Sequence, residues 1–205
     1  MEKGKNIEKE SFRIIDKLVD LSDRSEQEKI IVRRLVHTTG DVTFADTVRI
    51  SETAIDSGIK ALKMKLPIIC DVSMVQSGIT EQYTKNTGIE TFCFISQNEV
   101  VNIAQNNNKT RAESAIEYAS ERFYDGIYAI GNAPTALIKL IELCNQNMLR
   151  PSLVVAFPVG FVKADVSKEV LLKTNIPFIT NVGTKGGSAC SATVVNALLR
   201  MAFPA

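Results

Sequence analysis

The chain is poor in the side chain that most readily exchanges a proton near neutral pH: its 205 residues include one histidine, His37. Of its four cysteines, Cys70, Cys93, Cys144 and Cys190, no two stand in Cys-x-x-Cys spacing. Their neighbours are apolar or small, as in Ile68-Ile69-Cys70 and Phe92-Cys93-Phe94. That is the setting of reduced, partly buried thiols in an intracellular protein. One histidine and scattered cysteines argue against structural zinc, so no metal ligand is assigned. Net charge is also lacking, since 24 Lys+Arg against 23 Asp+Glu leaves +1. Bulk charge therefore points to neither nucleic acid nor an acidic membrane as partner. Residues 1–10 hold no apolar signal region. The longest uncharged apolar-rich run, 153–162, is too short to span a bilayer and contains Pro158 and Gly160. A soluble, cytoplasmic protein is expected. Repeats and domain boundaries are lacking too, and 45% hydrophobic residues in this length suit a single domain over 1–205 with a substantial core.

What is present is a rhythm. Apolar residues 7, 14, 15, 18, 19 and 21 give a first helix. Ser25 and Glu28 form a capping-box pattern opening a second over 26–37, with Gly40 fit to end it. Residues 41–50 are ambiguous, with 47–50 a candidate short strand; Ser51 suits the N-cap of a helix through Met64. Strand patterns then recur at 67–70, 90–95, 126–130, 153–157 and 177–182. Between them, helices are expected after a Thr80 cap, at 98–107, from the Thr110/Glu113 capping box to Arg122, from Pro134 to Asn145, and over 164–173, with a last one over 188–201. Alternation repeated about five times predicts a mostly parallel sheet with helices on both faces.

The glycines fall where such a sheet binds ligands. Segments 70–74, 131–135, 158–161 and 183–188 each follow a strand and open a helix. All four belong at the carboxyl edge. Helix starts offer free N–H groups and a positive dipole end, and glycines let a ligand approach the backbone. Gly183 to Ser188 is the best single candidate for an anion, with Gly186, Gly187 and Ser188 as contacts and Lys185 adding charge. Neither Walker A nor Gly-x-Gly-x-x-Gly spacing is met, so no standard mono- or dinucleotide is implied. Arg33, Arg34 and His37 share a helix face and can point at one anion, although the same residues suit a plain helix end. Arg111 is a cation in a first helical turn, where the dipole is mildly unfavourable; a carboxylate clamp would explain it, as would plain solvation. Asp71 ends a strand and suits a base or a substrate contact, or a helix-capping carboxylate.

Arg34-Leu-Val-His37, Pro67 to Met74, Ala129 to Leu137, Phe157 to Val162 and Gly183 to Ser188, in that order, resemble the precorrin-8X methylmutase family of corrinoid biosynthesis. The resemblance runs from about Ser11 to Leu199. It implies an isomerase that moves a methyl group from C-11 to C-12 of precorrin-8X, or of its cobalt form, to give hydrogenobyrinate or cobyrinate. It implies His37 as the proton donor and acceptor, Ser11, Arg34 and Arg111 as substrate contacts, and loops at Asn132 and Gly186 holding the ring and its acid arms. No cofactor is implied; the partner is the tetrapyrrole substrate, and a homodimer is expected. Thr38-Thr39-Gly40 and Thr184-Lys185 stand where other residues are usual in the family, and neither displaces a named position. The expected architecture is a three-layer αβα fold, a mostly parallel five-stranded sheet, doubly wound and flavodoxin-like, with N-terminal helices. A non-catalytic tetrapyrrole carrier and an α/β enzyme acting on a phosphorylated metabolite are the competing readings.

Overall fold

In the computed structural model, which describes residues 2–204, the chain opens with α1 (Glu2–Leu18) and α2 (Glu26–Thr39). The capping box closes as its spacing predicts. Ser25 Oγ accepts the Glu28 N–H at 3.3 Å, and the Glu28 carboxylate accepts the Ser25 N–H at 2.8 Å. Gly40 ends the helix at φ 65°, left-handed backbone that a residue without Cβ adopts freely. Next come α3 (Phe44–Thr47), β1 (Val48–Ile50), α4 (Ala54–Lys63) and β2 (Ile68–Cys70). After α5 (Ser73–Gly78) and α6 (Glu81–Thr87) lies β3 (Thr91–Cys93), and after α7 (Asn98–Asn106) and α8 (Arg111–Ser120) lies β4 (Ile127–Ile130). Strict alternation finishes the chain: α9 (Pro134–Asn145), β5 (Leu153–Ala156), α10 (Ala164–Leu172), β6 (Phe178–Asn181) and α11 (Ser188–Ala202).

The sheet order is β1-β6-β5-β4-β2-β3. Strands β2 to β6 are parallel, and counted alone they run 2-1-3-4-5, the flavodoxin-like winding. The stretch that the sequence left open supplies a sixth, antiparallel edge strand: β1 pairs with β6, Val48 opposite Asn181. Ser51 departs from its expected role. The helix begins three residues later, and Ser51 Oγ accepts the Phe178 N–H at 2.9 Å, prolonging the β1–β6 ladder.

Side chains leave the strands alternately, so the sheet feeds two cores. Ile68, Cys70, Ala129, Val155 and Ile179 pack toward α2, α4 and α11. Ile69, Tyr128, Ile130, Val154 and Ala156 pack toward α8, α9 and α10. β4, β5 and β6 are buried at every position, as parallel strands covered on both faces must be. From β2 the chain turns outward to β3 and then returns to β4 on β2's other side. The crevice of this topological switch lies where β2 and β4 end, at 70–73 and 131–135.

Candidate functional site at the carboxyl edge

Four loops meet at the carboxyl edge. Asp71 is fully buried in the crevice; Oδ1 accepts the Gly131 N–H at 2.9 Å, and Oδ2 accepts those of Asn132 at 2.8 Å and Ala133 at 2.9 Å. Burial pushes its carboxyl up in pKa, against these N–H donors, which favour the charged form. Of the roles open to Asp71, this geometry is that of a loop anchor: both oxygens are engaged inside the fold rather than offered to a substrate. A Cβ on Gly131 would stand 2.7 Å from Ser188 Cα, so the 131–135 and 183–188 turns lie in contact. The 157–160 turn closes on the latter. Gly187 N–H donates to the Phe157 carbonyl at 2.7 Å and Gly160 N–H to that of Thr184 at 3.1 Å. A Cβ on Gly186 would meet the Phe157 carbonyl oxygen at 2.4 Å, which is why glycine stands there. Thr110 Oγ1 and Thr135 Oγ1 are 3.0 Å apart, which brings the start of α8, and Arg111 with it, to the same edge.

Asn132, Arg111 and Lys185 are exposed there, Gly186 and Gly187 are half-buried, and Ser188 is buried in the first turn of α11. Lys185 is not free for a ligand as expected: its ammonium pairs with Asp41, whose carboxyl that bond holds below its usual range. This ion pair, with Thr38 Oγ1 2.9 Å from Thr193 Oγ1, fastens the end of α2 to the glycine turn and α11.

His37 precedes Thr38 by one residue. Its ring is exposed rather than enclosed by the strand-end loops, and stands edge-on to Phe12 of α1, with centroids 5.6 Å apart. Arg34 Cζ lies over the same Phe12 ring at 5.3 Å, while its guanidinium donates to Glu8 at 3.1 Å. Arg33 pairs with Asp16 instead. The two arginines thus answer different carboxylates of α1 and do not converge on one anion. Arg200 of α11 also reaches Glu8, at 3.8 Å. Ser11 Oγ donates back to the Ile7 carbonyl at 3.0 Å. Ser11, Arg34 and His37 therefore lie along the α1–α2 side, and Arg111, Asn132 and 186–188 along the strand ends, with the Lys185–Asp41 pair between the two sets. Glu8 and Arg200 carry no sequence signal. Phe12 carries one: it stands three residues before Ile15 and seven before Val19, on the face of α1 that packs against the core.

A groove of about 1170 Å³ lies at the opposite edge, lined by Lys60, Asp125, Arg150 and Lys173. Helices α4, α9 and α10 end there with their carbonyls outward, which disfavours an anion. Among the described residues no cluster of three or more His, Cys, Asp or Glu could hold a metal ion.

Comparison with known proteins gives one answer along the whole chain. The family model described as precorrin-8X methylmutase matches residues 6–201. The cobalt-precorrin-8 methylmutase of Leptospira interrogans is 42% identical over 96% of this chain and 93% of its own length. That of Methanocaldococcus jannaschii is 37% identical, over 97% and 94%. The solved structure of a precorrin-8X methylmutase from Thermus thermophilus is similar at TM-score 0.89 and 36% identity, covering 97% of this chain and 96% of that one.

Proposed function

The chain belongs to the precorrin-8X methylmutase family, and from that premise we propose how its residues carry the reaction. It is an isomerase of cobalamin biosynthesis that shifts a methyl group within a corrin precursor. In the reading advanced here the bond from C-11 to the methyl carbon breaks and the bond to C-12 forms, with no atom gained or lost. His37 lends a proton to the macrocycle as electron density moves and takes it back afterwards. General acid–base assistance of this kind is worth about 10²–10⁴-fold, and holding the ring in one geometry supplies the rest. Arg34, Ser11 and Arg111 receive acid arms, as do the turns at Asn132 and 186–188, whose glycines and helix start suit carboxylates.

The observation that carries this reading is the fastening of the α2 end, with the chain's one histidine, onto the glycine turn through Lys185–Asp41 and Thr38–Thr193. One side chain able to transfer a proton thus neighbours a row of carboxylate-binding elements. Because the His37 ring is exposed, a second copy of the chain covers it in this reading. On α1 the apolar side chains Ile7, Ile14 and Leu18 are 60%, 50% and 62% exposed, a face suited to a homodimer. Four free thiols fit a cytoplasmic setting, and no helix among the described residues is long and apolar enough to cross a membrane.

Absorbance spectra during incubation with precorrin-8X or its cobalt form test the chemistry. His37→Ala should bind with near wild-type affinity and turn over about 10²–10⁴-fold more slowly. Unchanged turnover removes His37 from the mechanism. Light scattering on eluted protein tests the dimer, and a monomer at working concentration removes it.

A further inference from the structure

Beneath the glycine turn lies a lysine that the reaction does not obviously need. Lys168, on the inner face of α10, has no exposed surface. Its ammonium donates to the Lys185 carbonyl at 2.8 Å and to Asn181 Oδ1 at 3.2 Å. The Asn181 amide donates to the same Lys185 carbonyl at 2.9 Å and to that of Val182 at 3.1 Å. Two side chains from below therefore grip one carbonyl at the middle of the turn. Directly after it come Gly186, pressed against the Phe157 carbonyl, and Gly187, bonded to the same oxygen. Among the described residues no carboxylate bonds to the buried ammonium. The charged or titratable groups that act on it are Asp165 on its own helix and the Cys190 thiol on α11, while the Lys185 ammonium is drawn away to Asp41. Burying an ammonium without a carboxylate partner is costly.

We propose that Lys168 is a positioning residue: its charge-assisted bond to the Lys185 carbonyl fixes the 181–187 turn so that the following N–H groups meet a substrate carboxylate. The inference rests on the reading of 186–188 as an acid-arm contact. Burial presses the Lys168 amine down to about 8, so the bond loses its charge within an accessible pH range. A neutral amine makes the weaker bond and removes the positive charge from under the turn.

The test uses the full-length enzyme and Lys168→Met, which keeps the length and removes the donor. The variant's KM for the corrin precursor should rise about tenfold, the low end of what a hydrogen bond to a charged group is worth, with kcat within about threefold. Amide exchange at Gly187 should be faster in the variant than in wild type. In wild type kcat/KM should fall above about pH 8, a limb absent from the variant. A KM within twofold of wild type, or an alkaline limb that persists in the variant, overturns the assignment. Should Lys168→Met not fold, Lys168→Gln, which keeps an N–H donor but no charge, decides: a KM raised severalfold with no alkaline limb supports the role, and a wild-type KM or a persisting limb overturns it. If wild type neither binds nor converts a corrin precursor, the functional reading is what fails. Gly187 exchange, which needs no substrate, still decides whether Lys168 holds the turn.

Discussion

Both Asp71 oxygens are taken by N–H groups of the loop that carries Asn132. An asparagine has the same outline but only one accepting oxygen, and its NH₂ would face a donor. Asp71→Asn therefore leaves at least one buried N–H unpartnered and should destabilise the fold by about 2–4 kcal/mol. Because the loop moves with its anchor, kcat/KM should fall with stability, and Asn132→Ala should lower kcat/KM without changing the denaturation midpoint. Urea unfolding of both variants separates these effects; an Asp71→Asn midpoint equal to wild type would return Asp71 to the substrate-contact role. The sequence marked Asp71 but could not choose among its roles, because the partners that settle it lie sixty residues away. Lys168 is a stronger case: in the one-dimensional pattern it is an ordinary charged residue of an amphipathic helix, and only the β6–α10 packing buries it.

Among the elements, those legible beforehand were the ones whose signals are local. Both capping boxes, Gly40, Pro134 and the apolar runs of β4, β5 and β6 each write their structure within a few residues. The miss was α3, of four residues and without a side-chain cap. Such short helices exist because the tertiary fold holds them, so their sequences need not announce them. The gathering of strand-end loops was legible from glycine placement, while their mutual contact was not. That contact yields a sharp prediction. A Cβ on Gly131 would stand 2.5 Å from Val75 Cγ2 and 2.7 Å from the Ser188 backbone, and the latter cannot yield without moving the start of α11. Gly131→Ala should cost about 1–3 kcal/mol, as overpacking does, and should also separate two substrate loops. At Gly183, by contrast, nothing lies within 4 Å of an added Cβ, and the positive φ of 82° is the sole objection to alanine. Gly183→Ala should therefore lose about 1–2 kcal/mol of stability while keeping its KM. Equal KM values for Gly131→Ala and wild type would show that the contact between the loops is immaterial.

At the scale of the whole molecule, a sheet covered on both faces hides titratable groups as well as apolar ones. Burial raises the Cys190 thiol to about 11, the Cys144 thiol to about 12 and that of Cys70 well above the ordinary range, and lowers the Lys168 amine to about 8. Between pH 9.5 and 10.5 the unfolded chain has given up the protons of these three thiols but keeps the one on Lys168; the folded chain does the reverse. The native state then holds about two more protons than the unfolded state. Stability should accordingly fall with rising pH by about 2.7 kcal/mol per unit, since each proton is worth about 1.36 kcal/mol per unit. Tyr128, whose hydroxyl burial also raises, pushes the same way as pH passes 10. Urea midpoints under reducing conditions at pH 9.5 and 10.5 measure the slope. Cys144→Ala should make it shallower by about 1.4 kcal/mol per unit, and Lys168→Met, which removes the one opposing group, should steepen it by the same amount. A slope that neither variant changes would mean that these groups titrate alike in the folded and unfolded chains, and that the two cores admit more water than their packing implies.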